Sequence, residues 1–278
     1  MKIGITTFDL ENFDFQVQVN SILKNNIEPD FIILHYAGIV NSPFKYFRFL
    51  IKTIKQYRFS SLNFILNRNK TINKKGSIKL SLNQTEKNDV NEFLKKVLII
   101  KAKGINDKST INRIRKFDNS IIVCNSGILK EKVLNLPNSV FLNIHASKLP
   151  QYRGMNNVEW ALYENNNIYV TVHKISRGID EGDILYQEEI DVANKNCKFI
   201  EDYRKYSFFK SNEIIGKAIY KLINNEITFI KQDKPYEPLL QYYVMHPILK
   251  IRLQGKLTEF SNNIRESYKI CCFYSADN

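Results

Sequence analysis

KIGITTFDLENFDFQVQVNSILKNNIEPDFIILH, residues Lys2–His35, decides the fold class. The apolar run at its start, Met1–Thr7, reads as a strand. The periodic stretch around Phe15–Asn25 reads as a helix, and Phe31–His35 as a second strand. Strand, helix and strand within so short a span begin a parallel α/β sheet. The alternation resumes downstream, with helices at Val90–Lys96 and Asp107–Phe117 and strands at Val97–Lys101 and Ser120–Cys124. Ser139–Ile144 is a short buried strand, Val158–Glu164 a helix, and Tyr169–Ile175 a strand of period two. Phe208–Asn224 has helical spacing and closes the core. The spacing therefore predicts a mostly parallel α/β domain over 1–205. Residues 206–278 then supply a helix and a small β-rich appendage built from PYEPLLQYYV, ILKIRLQGKL and KICCFYSA.

Composition narrows the function classes. With 278 residues, 44% hydrophobic and 25% charged, the chain has the profile of a folded globular protein. Disordered, collagen-like and disulfide-scaffold classes are excluded. No stretch approaches the ~18 apolar residues of a membrane-spanning helix, and MKIGITTFDL reads as a strand, which predicts no signal peptide. Cys124, Cys197, Cys271 and Cys272 show no metal-ligand spacing, and the vicinal pair makes a poor disulfide. Reduced thiols and a cytoplasmic location are expected. The net charge of +13 is concentrated: Phe31–Thr85 holds ten Lys or Arg and no Asp or Glu, leaving +3 for the other 223 residues. This stretch is either a solvated face or a phosphate-facing one. Within it, Ser42–Arg58 is an amphipathic helix, packed on its own domain or turned to a membrane or partner. Asn67–Asn83 reads as a polar loop, and the basic insert spans about residues 42–86.

FLNIHASKLPQYRGMNN, Phe141–Asn157, holds the densest set of reactive side chains. Asn143 and His145 lie two apart at a strand end, so they project from one side of the sheet. They do so at the C-terminal edge, where parallel sheets bind ligands. Leu149-Pro150 turns the chain, and Arg153-Gly154 sets a cation beside flexible backbone. SRGIDEGD, Ser176–Asp183, is a tight turn that presents a carboxylate to the first cluster or stands as a solvated β-turn. CNSGIL, Cys124–Leu129, leaves another strand end with small residues that let a flat ligand approach the backbone.

NIHASKLPQYRG and GIDEGDIL resemble the two signature segments of the folate-dependent formyltransferases, and CNSGIL is similar to their folate-binding segment. The likeness is close over 93–192 and loose over 1–35. It implies a Rossmann-like sheet of the formyltransferase N-terminal type and 10-formyltetrahydrofolate as co-substrate, without a metal. It also implies a catalytic trio of Asn143, His145 and Asp180. Asn143 would donate to the tetrahedral oxyanion, His145 would do the same or relay a proton, and Asp180 would orient His145 and help deprotonate the attacking ammonium. Folate contacts fall at Ser126, Gly127, Ile128, Leu129, Ser176, Arg177 and Gly178.

RGMNNVEW, Arg153–Trp160, is similar to the nucleotide-linked sugar N-formyltransferases in its pattern R-G-x-N-x-x-x-W. The tRNA enzymes usually read R-G-A-A-P there and carry an appended nucleic-acid-binding domain, for which the 73 residues after Lys205 are too few. The expected acceptor is a nucleotide-diphosphate amino-dideoxy sugar held by Tyr152, Arg153, Gly154, Asn156 and Trp160, with Arg153 on phosphate and Tyr152 stacking the base. No stable nucleic-acid complex and no membrane span are expected, and the C-terminal region is a candidate for homodimerisation. The alternatives are methionyl-tRNA formyltransferase and a non-catalytic nucleic-acid- or membrane-binding homologue. The intact trio argues against the second.

Overall fold

The computed structural model describes residues 1–35, 78–117, 119–125, 127–192, 197–233 and 241–257. β1 (Lys2–Thr7), α1 (Phe13–Lys24) and β2 (Phe31–His35) form the expected opening unit. Asn12 caps α1 by accepting from Phe15 N at 3.1 Å. After α2 (Gln84–Lys96) come β3 (Leu98–Ala102), α3 (Lys108–Ile114), β4 (Ser120–Cys124), α4 (Glu131–Leu134) and β5 (Ser139–His145). Then follow β6 (Arg153–Gly154), α5 (Asn157–Tyr163), β7 (Tyr169–Lys174), β8 (Ile184–Glu189), α6 (Ile200–Ile223) and β9 (Gln241–Tyr242). A further helix, α7, covers 247–257.

Among the described residues, seven strands make one sheet in the order β3-β2-β1-β4-β5-β7-β8. β3 to β5 are parallel, and β7 and β8 are antiparallel. This is the predicted mostly parallel α/β fold. Successive strand residues face opposite layers, as the pleat requires. Ile5, Val123 and Leu142 pack with Phe15, Ile22, Ile215 and Ile219, while Ile33, Ile122 and Phe141 pack with Ile111, Ile114 and Val133. α1 and α6 meet closely because residue 216 is glycine: a Cβ there would stand 2.1 Å from the Ser21 carbonyl oxygen. Strand order reverses between β1 and β4, which opens a crevice at their C-terminal ends.

Four expectations change. α6 begins at Ile200, so the boundary drawn after residue 205 falls inside a core helix. β8 and α4 are additional elements. ILKIRLQGKL, expected as strand, lies in α7, because Leu249, Leu253 and Leu257 recur every four residues and pack beside Trp160 and Tyr163. Within the tail, β9 pairs in parallel with β6. The proposed helix 42–58, most of the loop 67–83 and the vicinal cysteines fall outside the described residues. Among the described residues, no helix is long and apolar enough to cross a membrane.

Candidate active site

Two neighbouring strands and the loop after the second bring the reactive side chains together. Asn143 and His145 leave β5, and antiparallel β7 sets His173 opposite Asn143 and Thr171 opposite His145. Directly opposed residues share a face of the sheet. Asp180 comes from the loop after β7, which folds back on its own strand: Lys174 N donates to Asp183 O at 2.8 Å. A Cβ at Gly182 would sit 1.7 Å from the Lys174 carbonyl oxygen, so only glycine fits. Asp180 itself is left-handed, with φ at 54°, and its Oδ2 accepts Gly154 N at 2.9 Å.

Backbone carbonyls fix the imidazole tautomers. His145 Nε2 lies 2.7 Å from Tyr152 O, an acceptor only, so Nε2 carries the hydrogen and Nδ1 presents a lone pair. His173 Nδ1 likewise donates to Lys174 O at 3.0 Å, and its Nε2 accepts from Asn143 Nδ2 at 3.2 Å. Burial pushes the His173 imidazole down to about 4; His145 adds to the depression and Asp180 opposes it. His173 is thus neutral at neutral pH and orients the Asn143 amide. Asp180 Oδ2 stands 3.6 Å from His145 Nδ1, and Oδ1 3.7 Å from His173 Nε2, too far for direct hydrogen bonds. The His145 and Asp180 lone pairs face a shared space that suits a group rich in N–H donors. The ligand atoms of His145, His173 and Asp180 also lie within 4.8 Å of one another, the spacing of a divalent-cation site, but Asn143 already engages the His173 lone pair.

A cavity of about 260 Å³ reaches Asn143 from the crevice between β1 and β4. Asn12, Gln18, Asn125 and Asn212 line it with side-chain amides, Asp9 and Asp14 with carboxylates, and Phe8, Phe15 and Phe208 with rings. Among the described lining residues there is no Lys or Arg. A bonded amide set forms its wall: Gln18 Nε2 donates to Asn125 Oδ1 and Asn212 Oδ1, both at 2.6 Å, and Asn125 Nδ2 returns to Gln18 Oε1 at 2.7 Å. Cys124 also lines the cavity, and burial pushes its thiol up to about 12, which excludes a thiolate nucleophile at neutral pH.

Arg177, in one expected folate segment, donates through Nη2 to the carboxylate of Glu131, two residues past the other segment. Ile128 and Ile179 stand exposed on the two loops, at 87% and 54%. Gly127 is left-handed with φ at 85°, Leu129 is buried, and Ser176 and Gly178 lie within the turn before Asp180. Ser126 falls outside the described residues. The expected acceptor contacts are placed differently. Tyr152 is buried, its hydroxyl bonded to Glu164 and Asn166, so its ring cannot stack a base. Arg153 is also buried and donates to Gln232 Oε1 at 2.8 Å, which removes it from a pocket mouth. Asn156 accepts from Met245 N and Trp160 donates to Tyr243 O, so both hold the C-terminal segment. Gly154 stays near the site through Asp180.

His173, Asn157 and Gln232 were not expected here. Asn157 Nδ2 touches His145 Nε2 at 3.0 Å and donates to Gly154 O. The alternation Val170-Thr171-Val172-His173 could have flagged His173, since it puts two polar residues on one face of a strand. Asn157 and Gln232 carry no such local pattern.

A family model described as formyl transferase matches residues 47–205, more than half of the chain. The chain is similar to the methionyl-tRNA formyltransferase of Alkaliphilus oremlandii, 29% identical over 143 residues, covering 49% of this chain and 45% of that one. It therefore spans less than half of that relative's length. Its fold is similar to a sugar N-formyltransferase from Shewanella, with a TM-score of 0.51 and 13% identity over 91% of this chain and 86% of that one. It is likewise similar to an N-formyltransferase from Helicobacter canadensis solved with folinic acid and dTDP-3-aminofucose. There the TM-score is 0.50 and the identity 18%, over 95% of this chain and 82% of that one.

Proposed function

The chain belongs to the formyl transferase family, and on that premise we propose that it formylates the amino group of a nucleotide-linked amino-dideoxy sugar from 10-formyltetrahydrofolate. The observation that carries the choice of acceptor is the lining of the cavity at Asn143. A sugar ring offers hydroxyls that both donate and accept, which side-chain amides match, and C–H faces that suit aromatic rings. Gln18, Asn125 and Asn212 are already paired within the wall, and they present polar edges that an apolar methionyl side chain would cover without forming a bond. The Asp9 and Asp14 carboxylates favour an ammonium and disfavour a phosphate in this space.

In this reading the acceptor amine enters between His145 and Asp180, whose lone pairs take its protons. The amine forms a bond to the formyl carbon, and the carbonyl oxygen becomes a tetrahedral oxyanion. The second N–H of the Asn143 amide donates to that oxyanion, with the first held by His173. The bond from the formyl carbon to the folate nitrogen then breaks, and the proton lost by the amine passes through His145 and Asp180 to that nitrogen. The loops at Gly127–Leu129 and Ser176–Gly178 hold the flat ring system, where exposed Ile128 and Ile179 gain from being covered.

The second reading is methionyl-tRNA formylation, favoured by the sequence relative above. Mass spectrometry of a panel of dTDP-, UDP- and GDP-linked amino sugars, each incubated with the protein and 10-formyltetrahydrofolate, separates the two. Formylation of at least one sugar is expected. Formylation of methionyl-tRNA with every sugar untouched would reverse the choice.

A further inference from the structure

Asp180 sits in left-handed backbone with φ at 54°, a conformation open to Asp as a single residue, and its surroundings fix it there. Part of what fixes it comes from far along the chain. Ile230 exchanges both backbone hydrogen bonds with Ile184, each at 2.8 Å, and so lays the segment after α6 beside the start of β8. That pairing delivers Gln232, 8% exposed, onto the loop. Gln232 Nε2 donates to Asp180 O at 3.0 Å and to Gly182 O at 2.6 Å. Its Oε1 accepts from Arg153 Nη2 at 2.8 Å. Arg153 is 3% exposed, and its Nε and Nη1 have no hydrogen-bond partner within the described structure.

From these bonds we infer that Gln232 is the positioning residue of the site: it clamps the two carbonyls flanking Glu181 and thereby holds the Asp180 carboxylate between His145 and His173. One amide nitrogen spans both carbonyls, and the amide oxygen anchors that nitrogen to a buried guanidinium. The clamp lies beyond residue 205, where the family match ends. It makes the C-terminal segment part of the reaction centre. Without it, two carbonyls lose their donors, and the Gly154 N bond to Oδ2 and the Lys174–Asp183 backbone bond are left to hold Asp180 in place. Displacement of one catalytic group by about 1 Å can cost about 10²-fold in rate.

The inference rests on the formyl-transfer reading for its kinetic test. Gln232→Met keeps the volume and removes the donor and acceptor. It should lower kcat by about 10²-fold when assayed well below its melting temperature, which falls as the two carbonyls and Arg153 lose their partner. The double variant Gln232→Met, Asp180→Asn should be no slower than Asp180→Asn alone, because a clamp acts only through what it holds. Gln232→Glu, which keeps the Arg153 contact but lacks the donors when ionised, should resemble Gln232→Met. Wild-type kcat in Gln232→Met, or losses that multiply in the double variant, would overturn the clamp. Hydrogen exchange gives a readout that needs no substrate. In Gln232→Met, amide exchange should accelerate at 180–183 and stay slow at Ile184. Unchanged exchange at 180–183 would overturn the clamp, whereas a wild-type protein that formylates no amine would overturn the functional reading and leave this result standing.

Discussion

Asn143 has two amide hydrogens, and His173 takes one of them. That division works only while His173 is neutral, which its burial secures. The consequence is a pH dependence of stability with a definite sign. His173 titrates near 6.5 when unfolded and near 4 when folded. Between these values the unfolded chain binds more protons, so stability rises with pH across that window and is lost as pH falls from 6.5 towards 4. The full effect is on the order of 3 kcal/mol. Urea unfolding from pH 4 to 7 measures it, and His173→Gln should flatten the slope. An equal slope in the variant would assign the titration to another group. Asn143, His145 and Asp180 were legible in the sequence because short motifs surround them. His173 was not singled out, because its importance depends on which strand pairs with β5 and in what register.

Among the elements, α7 shows where local pattern falls short. ILKIRLQGKL alternates well enough to pass for a strand, and its helical stripe has meaning only once Trp160 and Tyr163 are known to face it. A buried carboxylate completes the docking. Glu159, 1% exposed, accepts from Lys250 Nζ at 2.9 Å and Asn156 Nδ2 at 2.8 Å, with Arg204 Nη1 at 3.6 Å. Breaking a buried pair from one side costs about 3–5 kcal/mol, while removing both charges costs far less. Glu159→Met should therefore destabilise by that order, and adding Lys250→Met should recover part of the loss. Denaturant midpoints would show it. Additive losses would mean that the pair contributes nothing as a pair. The residues expected to touch substrate, Asn156 and Trp160, belong to this same docking, and their motif spacing reported a structural bond to the tail.

At the scale of the molecule, the parallel order of the sheet was legible from the alternation of short apolar strands and helical stripes. The antiparallel edge formed by β7 and β8 was not, since β8 is half-polar and mostly half-buried, without a clean alternation. Net charge is the remaining whole-molecule feature, and it bears on the acceptor. The ten cations of Phe31–Thr85 would serve a polyanion, whereas the cavity at Asn143 presents carboxylates and amides. A macromolecular acceptor that engages six to ten phosphates loses about 10³–10⁵ in affinity between 50 and 200 mM salt. A nucleotide diphosphate offers only two phosphates and escapes most of that loss. The deciding measurement is kcat/KM for a nucleotide-linked amino sugar and for methionyl-tRNA, side by side, across this salt range. The account predicts efficient sugar formylation that changes only a few-fold, with methionyl-tRNA a poor acceptor throughout. Efficient methionyl-tRNA formylation that collapses with salt, beside an inert sugar, would contradict it.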